Sequence, residues 1–243
     1  MAGTKQKESL HNQISDFIRD KIYSNEWSSG EQIPSEFTLM KMFDVSRGTV
    51  QKAILTVANE GLLEQIQGKG TFVKKPMLRF STGGRFLSFA ESLRTMGVDF
   101  QTDILEQTVM PATKVIAEKL RIEEGANVLK LDRLRRSGDE PLLFQESCIN
   151  LIACPGIENC DYAQTALFDA VEQASNRAIG YSKARYAARI AGKRRGQLLG
   201  IDTYAPVLNM DMVVYLEDNT PTEWVNVWLP SNKYVLASVM QRF

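Results

Sequence analysis

Apolar residues fall at Leu10, Ile14, Phe17, Ile18 and Ile22, three and four apart. That spacing predicts a helix with one buried stripe, running from residue 10 to about 25. Ser9 stands where it can cap the helix, and residues 1–8 read as a loose tail. A second stripe, Leu39, Met42 and Phe43, follows Pro34-Ser35. There the proline opens the turn and the serine hydroxyl can accept from free amides of the helix start. This helix ends at Asp44-Val45. Ser46 caps a third, which runs to Glu60 and stops at Gly61, a residue tolerant of positive φ. Its stripe is Val50, Ala53, Ile54 and Val57. Arg47, Gly48, Gln51 and Lys52 face away from that stripe in the first turns, and Leu55 also falls on the polar side. Two short strands, 62–66 and 71–73, flank the tight turn Gln67-Gly68-Lys69-Gly70. Two helices joined by a short turn and followed by a hairpin predict a winged helix-turn-helix over residues 8–75.

Beyond this the pattern changes. Pro76 breaks the strand, and Ser81-Thr82-Gly83-Gly84 is a turn-rich run, so residues 76–85 read as a linker to a second domain, 86–243. A helix begins near Leu87-Ser88-Phe89 and ends at Met96-Gly97. Ile116 to Ile122 then leads through Gly125 into the strand 128–135, and Gly138-Asp139-Glu140-Pro141 turns the chain into a strand over 142–150. The pattern recurs weakly. Leu199-Gly200-Ile201 leads into 206–213, and Asp218-Asn219-Thr220-Pro221 turns the chain into 222–229. Residues 164–173 and 184–193 read as helices. The product expected is an antiparallel sheet with helices packed on it, an α+β domain.

A chain of 243 residues suits two domains, and 44% apolar residues suffice for real cores. The formal net charge of zero excludes a basic DNA-coating protein. Lys and Arg nearly balance Asp and Glu within residues 1–75, but the local cluster Arg47, Lys52, Lys69, Lys74 and Lys75 suffices for a short DNA site. The polar start has no secretory apolar core, and no run approaches the roughly 18 apolar residues of a membrane span. A cytoplasmic protein is expected. Cys148, Cys154 and Cys160 lack metal-site spacing, and the single histidine is His11, so no metal and no disulfide framework are expected.

Arg133 and Arg135 are two apart on a strand and therefore face the same way. Two guanidinium groups on one sheet face can hold a phosphate or carboxylate; the alternative is a solvated cationic face. Glu146 shares a face with Phe144 and Cys148, where a carboxylate needs a partner, either an arginine or a polar ligand group. Enzyme readings find little. No histidine lies outside the first helix, no Gly-x-Ser-x-Gly elbow exists, and Gly68-Lys69-Gly70 precedes a strand rather than a helix. No catalytic residue and no cofactor are expected.

Pro34-Ser35-Glu36, Val45-Ser46-Arg47-Gly48-Thr49-Val50, Glu60-Gly61-Leu62-Leu63 and Gly68-Lys69-Gly70-Thr71-Phe72-Val73 closely resemble the winged-helix domain of the GntR family of bacterial transcription regulators. The family usually has arginine at the positions of Phe37 and, often, Gln51. The resemblance implies double-stranded operator DNA as partner. Arg47 and Gln51 would read bases, Ser35, Thr49, Lys52, Lys69 and Thr71 would hold phosphates or line the groove, and Gly70 would let the wing approach. A homodimer follows from one recognition helix reading one half-site.

Roughly residues 80–240 are similar to the UTRA domain, the effector-binding half of the HutC subfamily, with a fold like that of chorismate lyase. The internal repeat, Leu131-Asp132-Arg133-Leu134-Arg135, the turn into Leu142 and Leu87-Ser88-Phe89 carry this similarity. It implies a small anionic effector, a phosphosugar favoured over a non-phosphorylated organic or amino acid, and a repressor released by it. Arg133, Arg135 and the Ser88 hydroxyl would hold the phosphate, and Glu146 and Glu223 would meet other polar groups. Relatives often have Ser-x-Tyr where this chain has Ala166-Leu167-Phe168, with Thr165 adjacent, and Thr165 and Phe168 complete the effector-binding set that the resemblance implies. A more remote alternative is a DNA-tethered enzyme with a lyase-like second domain.

Overall fold

The computed structural model describes residues 9–74, 78–81, 87–231 and 233–237. The chain divides into two compact units, Met1–Met77 and Leu78–Phe243.

In the first unit α1 (Leu10–Tyr23), α2 (Glu36–Phe43) and α3 (Arg47–Asn59) precede an antiparallel hairpin, β1 (Leu63–Ile66) and β2 (Gly70–Val73). The helix starts follow their caps. The Ser35 hydroxyl accepts from the Thr38 amide at 3.2 Å, and the Ser46 hydroxyl accepts from the Thr49 amide at 3.4 Å. Ser9 departs from expectation: its hydroxyl lies 3.0 Å from His11 Nδ1 and caps no amide. Ile14, Ile18, Leu39, Val50, Ala53, Ile54, Val57, Leu63 and Val73 form one core. Met42 of the predicted α2 stripe is exposed instead. Asp44, with φ of 51°, stops α2 in the left-handed region and turns the chain towards α3.

The wing closes on the segment before α2. Ile33 N–H donates to the Thr71 carbonyl at 2.9 Å, and Gln32 Nε2 donates to the Lys69 carbonyl at 2.9 Å. Gly70 has φ of 125°, and a Cβ there would lie 2.3 Å from Gln32 Nε2. Gly70→Ala puts a side chain at a positive φ that L residues rarely adopt and pushes the Gln32 amide off the Lys69 carbonyl, so it should destabilise the unit by about 1 kcal/mol or more. Thermal melting checks this.

The second unit is built on a six-stranded antiparallel sheet in the order β4 (Gln101–Pro111), β5 (Asn127–Ser137), β6 (Glu140–Asn150), β9 (Pro221–Pro230), β8 (Pro206–Leu216), β7 (Ile179–Ile190). Helix α5 (Lys114–Leu120) lies between β4 and β5 in sequence, and α7 (Gly192–Leu199) lies between β7 and β8. The repeat is thus strand, helix, strand, strand, and its two copies meet at β6 and β9. Helices cover both faces. On one, Leu93 of α4 (Phe89–Thr95) and Leu167, Ala170 and Val171 of α6 (Leu167–Ser175) are buried on the sheet. On the other, α5 packs on Val128, Cys148 and Trp224, while Leu199 of α7 packs with Leu134, Phe144 and Trp228.

Residues 184–193 are not a helix. They continue β7 to Ile190 and only then enter α7. Ala184, Ala187 and Ala188 favour a helix locally, but β7 pairs with β8 along its whole length, and the sheet's hydrogen bonds outweigh that preference. β4 was not anticipated either. As an edge strand it shows no clean apolar alternation. Within the expected linker, Leu78–Ser81 forms β3, which pairs in parallel with β10 (Tyr234–Ala237). Pro76 and residues 82–85 lie outside the described residues.

Among the described residues no helix is long and apolar enough to cross a membrane. Cys148 and Cys154 are buried, which pushes their thiols up to about 11 and about 12. Neither forms appreciable thiolate near neutrality, so a disulfide reagent on the native protein should label Cys160 alone at speed. Fast release of more than one thiol equivalent would contradict this burial.

Candidate functional site

The sheet's two-residue period sorts the polar side chains of the second unit. Arg133 pairs with Gln145 and Leu131 with Ser147 across β5 and β6, and Glu223 of β9 stands opposite Ile149. Arg133, Arg135, Gln145, Ser147 and Glu223 therefore project from one face. Arg133 Nη2 donates to Ser147 Oγ at 2.9 Å and to Glu223 Oε1 at 3.2 Å, and Ser147 Oγ donates to the same carboxylate oxygen at 2.6 Å. Arg135 Nη1 donates to Gln145 Oε1, and its guanidinium lies 5.7 Å from the Phe100 ring centroid.

The two guanidinium groups are only 3% and 4% exposed. Burial pulls both pKa values below the usual arginine range, and the charge of Arg133 adds to the burial effect on Arg135, which falls to about 9. Among the described residues Glu223 is the one carboxylate bonded to either. Arg133 Nε and Arg135 Nε are buried without a hydrogen-bond partner. The two buried guanidinium groups thus share a single bonded carboxylate among the described residues, while Asp99 and Asp103 stand on the cleft wall with Arg94.

These groups line an open cleft of about 510 Å³, with walls from α4 (Ala90, Arg94), residues 98–103 and residues 162–167. Thr165 and Ala166 are on that wall. A small recess of about 20 Å³ adjoins it, sharing Ala90, Arg133, Arg135 and Leu167, and adds Ser88, Gln145, Phe168, Met212 and Glu223. Ser88 is the N-cap of α4: its hydroxyl accepts from Glu91 N–H at 3.1 Å, while the Glu91 carboxylate accepts from Ser88 N–H at 2.7 Å. That box fixes the hydroxyl at the recess and leaves its proton to donate. Six of the seven expected effector residues, Ser88, Arg133, Arg135, Thr165, Phe168 and Glu223, thus converge on one cleft and its recess.

Glu146 does not. It pairs with Asp132, one step out of phase with Arg133, so it projects from the opposite face. There it accepts from Arg194 Nη1 at 3.1 Å, Arg195 Nη2 at 2.8 Å and Trp228 Nε1 at 2.7 Å. Its partner is arginine, the plainer of the two alternatives. Gln145 and Ser147, its neighbours on β6, stand on the face of Arg133 and Arg135 instead. The turn 138–141 alone could not show this: it pairs Arg136 with Pro141, and a bulge between Arg135 and Arg136 then shifts the register by one, which puts Gln145 rather than Phe144 opposite Arg133.

In the first unit Arg47, Gln51 and Lys52 are exposed on the first turns of α3, and Thr49 is half-buried beside Ser46. Ser35 is exposed at the start of α2. Lys69 and Gly70 are exposed at the wing, and Thr71 is half-buried. Glu36 was not anticipated: its carboxylate accepts from Arg47 Nε at 2.8 Å and from Gln51 Nε2 at 3.2 Å, gathering the two expected base readers on one acceptor. Phe37 is exposed, with Lys41 Nζ 4.4 Å from its ring centroid.

Comparison with known proteins agrees with this division. Residues 10–73 match the model of bacterial regulatory proteins, gntR family, and residues 95–235 match the UTRA domain. The chain is 27% identical over 233 residues to the HTH-type transcriptional repressor NagR of Bacillus subtilis (strain 168), covering 96% of this chain and 95% of that protein. It is 27% identical over 233 residues to the mannosyl-D-glycerate transport/metabolism system repressor MngR of Escherichia coli (strain K12), covering 96% of each. The crystal structure of PhnF from Mycobacterium smegmatis has the same fold, with a TM-score of 0.64 at 21% identity over 94% of this chain and 99% of that one. A regulator from Escherichia coli CFT073 is 44% identical over 55% of this chain and 97% of its own, with a TM-score of 0.52.

Proposed function

Because the chain belongs to the gntR family of bacterial regulatory proteins and has a UTRA domain as its second unit, we propose that it is a repressor released from operator DNA by a small phosphorylated metabolite. The observation that carries this reading is the pair of buried guanidinium groups, Arg133 and Arg135, which line the cleft and have one bonded carboxylate between them among the described residues. Buried charge is costly unless paired and hydrogen-bonded. A phosphate in the cleft supplies the missing negative charge and accepts from both guanidinium groups. Ser88 and Thr165 add hydroxyl donors at its rim. Gln145, Ser147 and Glu223 are left to meet hydroxyl or amine groups on the rest of the ligand. The names of the repressors NagR and MngR support repression as the mode, and the transport and metabolism system in the second name supports a carbohydrate-derived effector.

At the DNA, Arg47 and Gln51 read bases, Ser35, Thr49, Lys52, Lys69 and Thr71 hold the backbone, and Gly70 brings the wing close. A homodimer places two such readers on two half-sites. Operator binding implies the cytoplasm as the working compartment. Effector binding changes the placement of the DNA-binding units through residues 76–85, with a coupling of about 1–3 kcal/mol.

The test is operator affinity of the full chain, read by fluorescence anisotropy with and without phosphorylated sugars. The cognate effector should weaken binding about 5- to 150-fold. Unchanged affinity across phosphorylated sugars and their organic-acid counterparts would sink the reading.

A further inference from the structure

The face of the sheet turned away from the cleft carries a groove of about 340 Å³, lined chiefly by Glu118, Lys119, Arg121, Lys183, Asp211 and Tyr215. Its charges do not cancel. Lys119 is committed to Asp211, with Nζ 2.8 and 3.0 Å from the two carboxylate oxygens. Asp211 also accepts from Trp224 Nε1 at 2.7 Å. These bonds hold the Asp211 carboxyl below the usual carboxylate range against the opposing effect of its burial. Arg185, on the exposed rim, comes no nearer to Asp211 than 3.8 Å.

Arg121 and Lys183 remain. Among the described residues neither has a carboxylate oxygen within 4.0 Å, and Arg121 Nη1 makes one long bond, 3.4 Å, to the Asn219 carbonyl. Yet both are drawn to one aromatic ring: the Arg121 guanidinium lies 5.6 Å and the Lys183 ammonium 5.4 Å from the Tyr215 centroid. That ring is held in place, stacked on Tyr181 at 4.8 Å, and the Tyr181 hydroxyl donates to Asn219 Oδ1 at 2.9 Å. A ring contributes only about 0.5–1 kcal/mol per exposed cation and does not neutralise it. Two like charges gathered over one fixed platform repel each other, and a small anion between them removes that repulsion.

We propose that this groove is a second ligand site, separate from the cleft, for a small polyanion: a phosphate ester or a polycarboxylate gripped by Arg121 and Lys183 with Arg185 at its rim. The two sites lie on opposite faces of the same strand. Asp211 lines the groove, and the next residue of β8, Met212, lines the recess beside Arg133 and Arg135. A ligand in the groove is therefore one strand's thickness from the effector.

Inorganic pyrophosphate titrated calorimetrically into the full chain tests the proposal. Lys183→Glu should weaken groove binding about tenfold or more by reversing a charge at the ligand. Arg121→Ala should weaken it less, and Glu118→Gln should tighten it. Lys183 and Arg121 are exposed, so the melting temperature should hold in both variants. Arg135→Met, which disables the cleft, should leave the groove's binding in place. Parent-like affinity in both Lys183→Glu and Arg121→Ala, or loss of all pyrophosphate binding in Arg135→Met, would overturn the second site.

Discussion

Arg135→Met should weaken effector binding at least about 30-fold while leaving the melting temperature of the ligand-free chain close to that of the parent. Removing one partner of a buried, hydrogen-bonded charge pair costs about 2–5 kcal/mol of affinity, and the effector's anion is the partner deprived here. The stability side has a different sign structure. Arg135 is buried, is bonded to no carboxylate among the described residues, and rests on Phe100. Replacing such a charge by an apolar side chain of similar length removes a desolvation cost, and it orphans Gln145 Oε1 at a cost of about 1–3 kcal/mol. The two nearly offset. Arg133→Met is the contrast. Arg133 is the ion-pair partner of Glu223, itself 3% exposed, and its removal leaves that carboxylate buried with Ser147 as its one remaining donor among the described residues. That variant should lose about 3–5 kcal/mol of stability as well as effector binding. Thermal melting with and without ligand separates the two cases. Equal destabilisation by both substitutions would contradict the charge accounting of the site.

Arg47→Ala should cost about 1–3 kcal/mol of operator affinity and relax the preference at one base position. Glu36 holds Nε of Arg47, which leaves the two terminal nitrogens of the guanidinium to donate to the paired acceptors of a guanine. Arg47 is 70% exposed, so the fold should not change. Lys69→Ala differs in kind. It should weaken binding to all sequences alike and lower the slope of affinity against salt by about one. Titrations of operator and scrambled duplex at several salt concentrations distinguish base reading from phosphate contact. Unaltered operator affinity in Arg47→Ala would remove α3 as the reader.

The first unit was legible because its signals are local. Ser35 and Ser46 cap the helices they precede, Gly61 follows the third helix, and one apolar stripe per helix meets its neighbours. Ser9 fitted the same pattern, but its hydroxyl found His11. In the second unit the hairpins 138–141 and 218–221 were plain, while the edges of the sheet were not. β7 is alanine-rich and exposed on much of its length, so only its pairing with β8 reveals a strand. β4 pairs only with β5 and has no internal alternation.

The grouping of the cleft residues was legible up to register. The spacing of Arg133 and Arg135 put them on one face, but choosing Gln145 over Glu146 depended on which residues of β6 stand opposite them. Glu36 was hidden for a similar reason. Its contact with Arg47 spans two helices, and no spacing rule within one helix reports it. These are tertiary facts, set by how elements meet rather than by the elements themselves.

The central claim is that Arg133 and Arg135 await a phosphate. It is tested most directly by the melting temperature of the full chain against a panel of sugar phosphates and the same sugars without phosphate. A ligand bound only by the native state adds about 2.7 kcal/mol at a hundred times its dissociation constant. A rise is expected with one phosphorylated sugar, none with its unphosphorylated form, and no rise with either in Arg135→Met. Equal stabilisation by the sugar with and without its phosphate, or a phosphate effect that survives in Arg135→Met, would contradict it.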